Sequence, residues 1–590
     1  MRENMGSIRV GIIGAGPAGL FLSRLLGRTW HGAEIDVYER SGPGDASGFG
    51  IALSDRTMRQ VAALDPLVAD RIGRVARPLS GVELRMPGGR LRYDGFPVVT
   101  VSRGAVLAVL TEEARAVGAR IHHGCDARAD ELDADLVVLA DGARSVHRTA
   151  RAAAFGTTVS TGVARYIWLG TAAELGDAAT MFFVPTEHGP MAAHAYSCGG
   201  GLSTVVVELD NGTWRRAGFD VPQRADGTPG EIGDAELALL NEVFAGHVGA
   251  TLVSNRSRWS RFDVVTNRRW SEGNRVLIGD AAHTAHFTVA SGTTMALADA
   301  MALADELRKR DTLTAAFDAY ERERRPAVAR VQRLAGPSMR WWETYGRRMH
   351  LAPAQFGMHF ITRTTAVSYP SLRQRCPLRV AEAEAAYRQA AGVAPDAPAR
   401  HAVAEPFTAR GSRLPHRLVG VGAPASDPPG SDAVVPRLVP GAWLEPLPDG
   451  AGRAGSGWVA GVQGQLLAPG LHALQFVALT APDPAGEDDA LREVVALRRR
   501  GIDGVLLLPG PAGWWDRLVE FGGRVRTEVG LVVAGCVPMD WSTGRCRDPA
   551  VDAWSARLHL ALISARLDLV AQWPRRAADL APPGRPDDAG

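Results

Sequence analysis

A short β-branched run that breaks into glycines at a fixed spacing constrains this chain more than any other stretch. Residues 8 to 26 read IRVGIIGAGPAGLFLSRLL; Ile8 to Ile13 is apolar, and Gly14, Gly16 and Gly19 follow at the G-x-G-x-x-G spacing. The run fits a strand buried on both faces of a parallel sheet, and Leu20, Leu22, Leu25 and Leu26 continue at helical spacing. In such a unit the first glycine permits the tight turn, the second lets a pyrophosphate approach the backbone, and the third lets helix pack on strand. The helix start then offers free N–H groups and a positive dipole end to the phosphate. Gly14, Gly16, Pro17, Ala18 and Gly19 are therefore candidate dinucleotide contacts. Glycines alone would also serve an ordinary turn, so the context decides. A second apolar strand, Glu34 to Tyr38, ends in Glu39, about twenty residues past Gly19, where an acid meets a ribose hydroxyl. Arg40 follows directly and joins the candidate set.

At 590 residues the chain is too long for one core, so two to four domains are expected. A formal net charge of +2 gives no reason to expect nucleic acid. The five cysteines are dispersed, with none at C-x-x-C spacing, which argues against a disulfide framework or zinc site and suits a reducing cytoplasm. MRENMGSI has no apolar core of a signal peptide, and apolar runs such as Gly530 to Val537 are too short to span a bilayer.

Beyond Arg40, a glycine-rich loop at residues 41 to 55 can lie against a flat ligand, and a helix over Thr57 to Leu64 stops at Pro66. Strands Gly81 to Met86 and Leu91 to Tyr93 are joined by a Pro-Gly-Gly turn. Ser102 is placed to cap a helix whose first turn carries Arg103, a cation that opposes the helix dipole and suggests an anion nearby. Ala119 to His122 and Leu136 to Leu139 read as strands, the second ending in ADGARSVHR with Asp141 where ligands collect in doubly wound sheets. Residues 160 to 265 alternate between Gly, Pro and Asn boundaries and read as an inserted antiparallel sheet. Arg275 to Ile278 returns as a buried strand running into GDAAHTAHFTVASGT and a helix from about Thr293 to Arg310. Gly279 and Asp280 stand at that strand end, and Ser291, Gly292 and Thr293 offer backbone N–H groups at the helix start. His283 and His286 lack a supporting carboxylate or cysteine spacing, so no metal site is expected.

GAGPAG with Glu39, Ser102-Arg103, LADGARS and GDAAH, in this order, resemble the single-component FAD-dependent aromatic hydroxylases, the group A flavoprotein monooxygenases of the p-hydroxybenzoate hydroxylase type. The resemblance implies a glutathione-reductase-type, Rossmann-like FAD domain, reduction by NADH or NADPH without a separate nicotinamide domain, and a flavin C4a-hydroperoxide as oxidant. GFGIALSD, RYIWLGT, TEHGPMAAHAY, GDAAHTAHF with SGT, and PSMRWWETY look like the N-terminal part of the aryl-CoA subgroup, that of salicylyl-CoA 5-hydroxylase and aminobenzoyl-CoA monooxygenase/reductase. Phe287 to Thr293 replaces the wider family's Pro-x-x-Gly-x-Gly, a departure this subgroup shares. In that subgroup an old-yellow-enzyme-like barrel follows. Residues 406 to 424, 501 to 510 and 530 to 538 resemble its strands, but the Pro- and Gly-dense stretch 423 to 457 reads as loop.

The expected fold is thus α/β: an FAD-binding domain in two parts (1–160 and 266–395, with a helical extension), an antiparallel β substrate domain (161–265), and a truncated barrel remnant (396–590) that is structural or dimer-forming. The expected activity is hydroxylation of an aromatic ring held as a thioester of CoA or of a carrier protein, without nucleic acid or membrane partners. His194, Tyr196 and His286 are the candidates for moving or holding a proton at the ring, each also suited to be a hydrogen-bonded wall residue. Hydroxylation of a free aromatic or polyketide substrate, and a flavin-binding scaffold without hydroxylase activity, are the alternatives.

Overall fold

The computed structural model describes residues 8–30, 32–44, 48–220, 230–364, 366–367 and 369–390. In the C-terminal part it describes 407–409, 412–414, 418–421, 437–440, 459–467, 474–479, 487–500, 502–507, 512–529, 531–537, 561–562, 564, 566–567 and 569–572. The chain divides into two compact units, Met1–Gly346 and Arg347–Gly590. The helices between 353 and 390 thus fall in the second unit, short of the sequence boundary at 395.

The first unit holds a six-stranded sheet in the order Ser271–Glu272, Arg275–Leu277, Leu136–Leu139, Arg9–Ile13, Glu34–Glu39 and Arg120–His123, parallel except for the first pair. Val10, Ile12, Val137 and Val138 are buried, as continuous apolar runs at the centre of a two-sided sheet require. The helices Pro17–Thr29 and Gly292–Lys309 share its core through Leu20, Phe21 and Leu22 on one and Met295, Leu297 and Leu303 on the other.

The second sheet has eight strands, in the order Leu252–Val253, Arg165–Thr171, Ser203–Leu209, Gly189–Ser197, Ala178–Thr186, Arg77–Met86, Gly89–Ser102 and Gly50–Leu53. It corrects the expected insert in two ways. Three strands come from residues 50 to 102, outside 161–265, and Ala178–Thr186 pairs in parallel with Arg77–Met86. Alternation tells which face of a strand is buried but not which distant strand it joins. Its core face carries Ile167, Leu169, Val205 and Val207 against Leu240 and Phe244 of the helix Asp234–Val248.

Local details also differ. The helix expected from Thr57 begins at Asp55, capped by the Ser54 side chain, and Pro66 opens a second helix, Pro66–Val75, because proline is well tolerated in a first turn. Ser102 occupies the N-cap of Arg103–Arg115 without a side-chain cap hydrogen bond. In the second unit, Leu418–Val421, Arg437–Pro440, Val459–Leu467, Leu474–Leu479, Gly504–Leu507, Val532–Val537 and Leu569–Gln572 pair in a closed barrel. Arg437–Pro440 lies inside the stretch read as loop; four residues among prolines and glycines leave too short a pattern to detect. The rest of 423–457 lies outside the described residues, as do residues 1–7 and 45–47.

Candidate active site

Three glycines organise the first end of the site. Gly14 has φ +109°, and a Cβ there would stand 2.3 Å from Ala140 O. A Cβ on Gly19 would stand 2.2 Å from Gly14 O, so both positions are fixed by chain against chain. Gly16 is different: a Cβ there would meet no protein atom within 4 Å. The backbone at the start of Pro17–Thr29, with Pro17, Ala18 and Gly19 in its first turn, therefore borders open space. Glu39 closes the turn, its carboxylate accepting the N–H groups of Ala15 (3.0 Å) and Ser41 (2.9 Å), and Arg40 is exposed beside it.

The second end forms at the strand Arg275–Leu277. Gly279 has φ +60°, and a Cβ there would come within 3.2 Å of the Ala18 methyl carbon, so the two strand–helix junctions touch. The fully buried Asp299 holds this junction, accepting Gly279 N–H (3.0 Å) and Arg324 Nε (2.9 Å) and lying 2.7 Å from His283 Nε2. Asp280 keeps an exposed side chain; desolvation by the surrounding protein raises its pKa, against the pull of His283 and Arg103. It faces the start of Gly292–Lys309, since a Cβ on Gly292 would lie 4.0 Å from its Oδ1. That helix start has no side-chain cap: Ser291 is buried, Thr293 half-buried, and Ala290 sits at φ +52°, a strained conformation for a residue with a Cβ.

Arg103 is exposed at its helix start, its N–H donating to Phe49 O (2.8 Å). Asp141 lies 2.9 Å from His147 Nδ1; burial raises its pKa, but the bonds to His147 and Ser145 outweigh this and hold it below the usual value. Arg148 donates to Ala281 O (3.1 Å) and Ala143 O (2.7 Å), tying the 140–148 loop to the Asp280 segment. The uncapped helix starts, the room beside Gly16 and the accessible Asp280 fit the phosphates and hydroxyls of an adenine dinucleotide.

The polar face of the eight-stranded sheet adjoins this end. Strand register places Tyr166 opposite Glu208, Trp168 and His194 opposite Val206, and Tyr196 opposite Thr204, all on one face. Phe287 covers them, its ring 4.9 Å from Tyr166, 5.7 Å from Trp168 and 5.8 Å from His194. His194 and His286 share one carboxylate: Nε2 of His194 lies 3.2 Å from Glu208 Oε2 and Nε2 of His286 3.5 Å from Oε1. His286 Nδ1 continues to Thr288 Oγ1 (2.8 Å) and on to Ser338 Oγ (2.8 Å). Tyr196 stands apart from this pair, its hydroxyl donating to Gly50 O (2.9 Å) while burial raises its pKa. Burial also pushes the Tyr166 hydroxyl up to about 12.

The sequence reading missed Glu208, Asp299 and Tyr166. Glu208 and Asp299 look like ordinary charges within apolar runs, and only strand register and helix packing reveal their partners. Tyr166 had a signal, since it stands in the quoted RYIWLGT motif. His283 and His286 turn to different carboxylates, and no group of three metal-ligating residues occurs among the described residues.

Fold and site define the class of a dinucleotide-binding flavoprotein, with an aromatic wall on the adjoining sheet. Residues 92–335 match the FAD binding domain family. The chain is 41% identical over 364 residues to a salicyloyl-CoA 5-hydroxylase of Streptomyces sp, covering 60% of this chain and 70% of that one. It is 39% identical over 336 residues to a 3-hydroxy-4-methyl-anthranilyl-[aryl-carrier protein] 5-monooxygenase of Streptosporangium sibiricum, covering 57% and 89%. It is also 30% identical over 372 residues to protodeoxyviolaceinate monooxygenase of Chromobacterium violaceum, covering 60% and 94%. The chain belongs to the FAD-dependent aromatic hydroxylases: it is a flavin-dependent aromatic monooxygenase with FAD as its cofactor.

Proposed function

We propose that this enzyme hydroxylates an electron-rich aromatic ring presented as a thioester, of CoA or of a carrier protein, consuming NADH or NADPH and oxygen. The observation that carries the reading is that two relatives near 40% identity are named for an aryl-CoA and an aryl-carrier-protein substrate. Bound FAD would pass the electrons of NAD(P)H to oxygen, one atom of which goes to the ring and the other to water; the protein supplies position, dryness and charge. Gly14, Gly16, Pro17, Ala18, Gly19 and Glu39 with Arg40 hold the adenosine and pyrophosphate end. Arg103, Asp141, Gly279, Asp280, Ser291, Gly292 and Thr293 surround the rest. Tyr166, Trp168 and Phe287 form the wall on which the ring stacks. His194 and His286, fixed by Glu208, hold or take the proton of the ring hydroxyl or amine. Tyr196 supports the wall through Gly50.

In this reading the six-stranded sheet and its helices are the FAD-binding region, the eight-stranded sheet, with strands from 50–102 as well as from 161–265, contributes the substrate face, and the barrel of the second unit is a worn old-yellow-enzyme-like one that is structural or dimer-forming. A cytoplasmic location is part of the same reading, supported by free Cys125, Cys198 and Cys376. Among the described residues no helix is long and apolar enough to cross a membrane. The test is product analysis with matched aromatic acids, CoA thioesters and carrier-bound thioesters. Hydroxylated product and NAD(P)H use tightly coupled only with thioesters support the reading; coupled turnover of the free acid points to the free-aromatic alternative, and none with any substrate to the scaffold.

A further inference from the structure

Two arginines stand beside the strand start that carries Tyr166, Arg165 on the sheet face turned away from the wall, without an acidic partner. Tyr166 and Ser260 exchange backbone hydrogen bonds of 2.9 Å in an antiparallel bridge, which brings Arg165 beside Arg261. Like charges facing each other across such a pairing destabilise it. Arg215, from the short helix Asn211–Arg216, adds a third positive charge near Arg165. Among the described residues none of the three is ion-paired to a carboxylate. The nearby acids are occupied: Asp210 accepts the N–H groups of Gly212 (2.8 Å) and Thr213 (3.0 Å), and Asp263 the Thr161 hydroxyl (2.6 Å). Burial, then the charges of Arg261 and Arg215, lower the pKa of Arg165, a cost that no carboxylate among the described residues offsets by an ion pair.

The cluster is also oriented. The Arg165 guanidinium lies over the Trp214 ring at 4.4 Å and its Nε donates to Asn211 Oδ1 (3.4 Å), which fixes the fork. Arg261 Nε donates to Gly162 O (2.8 Å), leaving its terminal nitrogens for another partner. Of their neighbours in sequence, Tyr166 is a wall residue and Phe262 packs beside it, the two rings 6.4 Å apart. We propose that Arg165, Arg215 and Arg261 form an anion subsite that takes a phosphate of the pantetheine arm carrying the aromatic acyl group. Guanidinium forks match phosphate oxygens, and the cluster stands at the start of the strand that carries Tyr166, on the sheet face turned away from the wall, so an arm bent round that strand start would lay its ring on the wall and leave its phosphate outside. The inference deepens the thioester reading and rests on it.

The test uses the full-length, FAD-loaded enzyme, so that the dinucleotide site is already filled. Calorimetric titration with coenzyme A, with a phosphopantetheinylated carrier protein and with pantetheine, which has no phosphate, needs no turnover. We expect wild type to bind at least one phosphate-bearing probe, and Arg261→Gln and Arg215→Gln to bind it about tenfold more weakly. Binding of pantetheine should be the same in all three proteins. Coenzyme A alone or the carrier alone binding tightly identifies the source of the phosphate. Undiminished flavin content in the variants excludes misfolding, and Arg215, exposed and without a side-chain hydrogen bond, is the milder of the two changes. Wild type binding neither phosphate-bearing probe, variants binding like wild type, or pantetheine binding as tightly as coenzyme A would overturn the subsite. A failure of the thioester reading shows separately, as coupled turnover of free acids.

Discussion

Glu208 Oε2 lies 3.2 Å from His194 Nε2 on the same sheet face, and its other oxygen reaches toward His286. All three groups are buried, and the His194 ring lies 3.9 Å from that of Trp342. A buried carboxylate is retained only where partners offset its lost hydration. Here both partners are imidazoles, the side chains best suited to exchanging protons near neutral pH.

Glu208→Gln keeps the shape and removes the charge that orients both rings. It should retain FAD and lower kcat by about a hundredfold, the scale of a general acid–base contribution. Flavin absorbance and steady-state kinetics check this, and full activity would show that the charge is not used. Glu208→Ala should in addition destabilise the fold by about 1–3 kcal/mol, because it leaves buried polar groups unpaired.

The glycine turn gives paired outcomes. At Gly16 a Cβ meets no protein atom within 4 Å, so Gly16→Val should fold with an unchanged apo melting temperature and fail to retain FAD. At Gly14, φ +109° and Ala140 O at 2.3 Å make Gly14→Ala costly to the fold itself, by about 1–3 kcal/mol. Melting curves of both apo proteins beside their flavin content separate the two effects.

Burial moves Tyr166 from 10.0 to about 12, so the folded state keeps its proton where the unfolded chain has lost it. A raised pKa gives stability that is complete below pH 10 and is lost as pH rises toward 12. Tyr166→Phe should therefore flatten the alkaline fall in melting temperature over that interval. Below it, the hydroxyl stays neutral and donates rather than accepts a proton in the site.

Asp299 behaves oppositely. Burial raises its pKa, but His283 and Arg324 outweigh burial and hold it below the usual carboxylate value. Its stabilisation is present above that ordinary range and is lost as pH falls through the depressed pKa. Asp299→Asn leaves the half-buried Arg324 beside a neutral amide, and should destabilise by about 3 kcal/mol. It should also weaken FAD binding through Gly279, which denaturation and flavin-release assays would detect.

The dinucleotide turn was legible because it is local: strand, glycines and helix lie within residues 8 to 26, and each glycine answers a local requirement. The parallel strand Arg275–Leu277 was equally plain, as a buried apolar run. Partnership was not legible. Nothing near residue 80 announces that Arg77–Met86 joins Ala178–Thr186, and nothing near Glu208 announces His286. Of the three proton-handling candidates, two meet at one carboxylate and Tyr196 does not; their residue types alone could not separate them.

The thioester requirement is tested by supplying the FAD-loaded enzyme with NAD(P)H, oxygen and a panel of aromatic rings, each as free acid, CoA thioester and carrier thioester, and weighing the products. One oxygen atom should be added to the ring of a thioester, with NAD(P)H consumed and product formed in equal amounts. Equal or better coupled hydroxylation of the free acids, or reductant consumed at one slow rate with no oxygen gained by any ring, would contradict it.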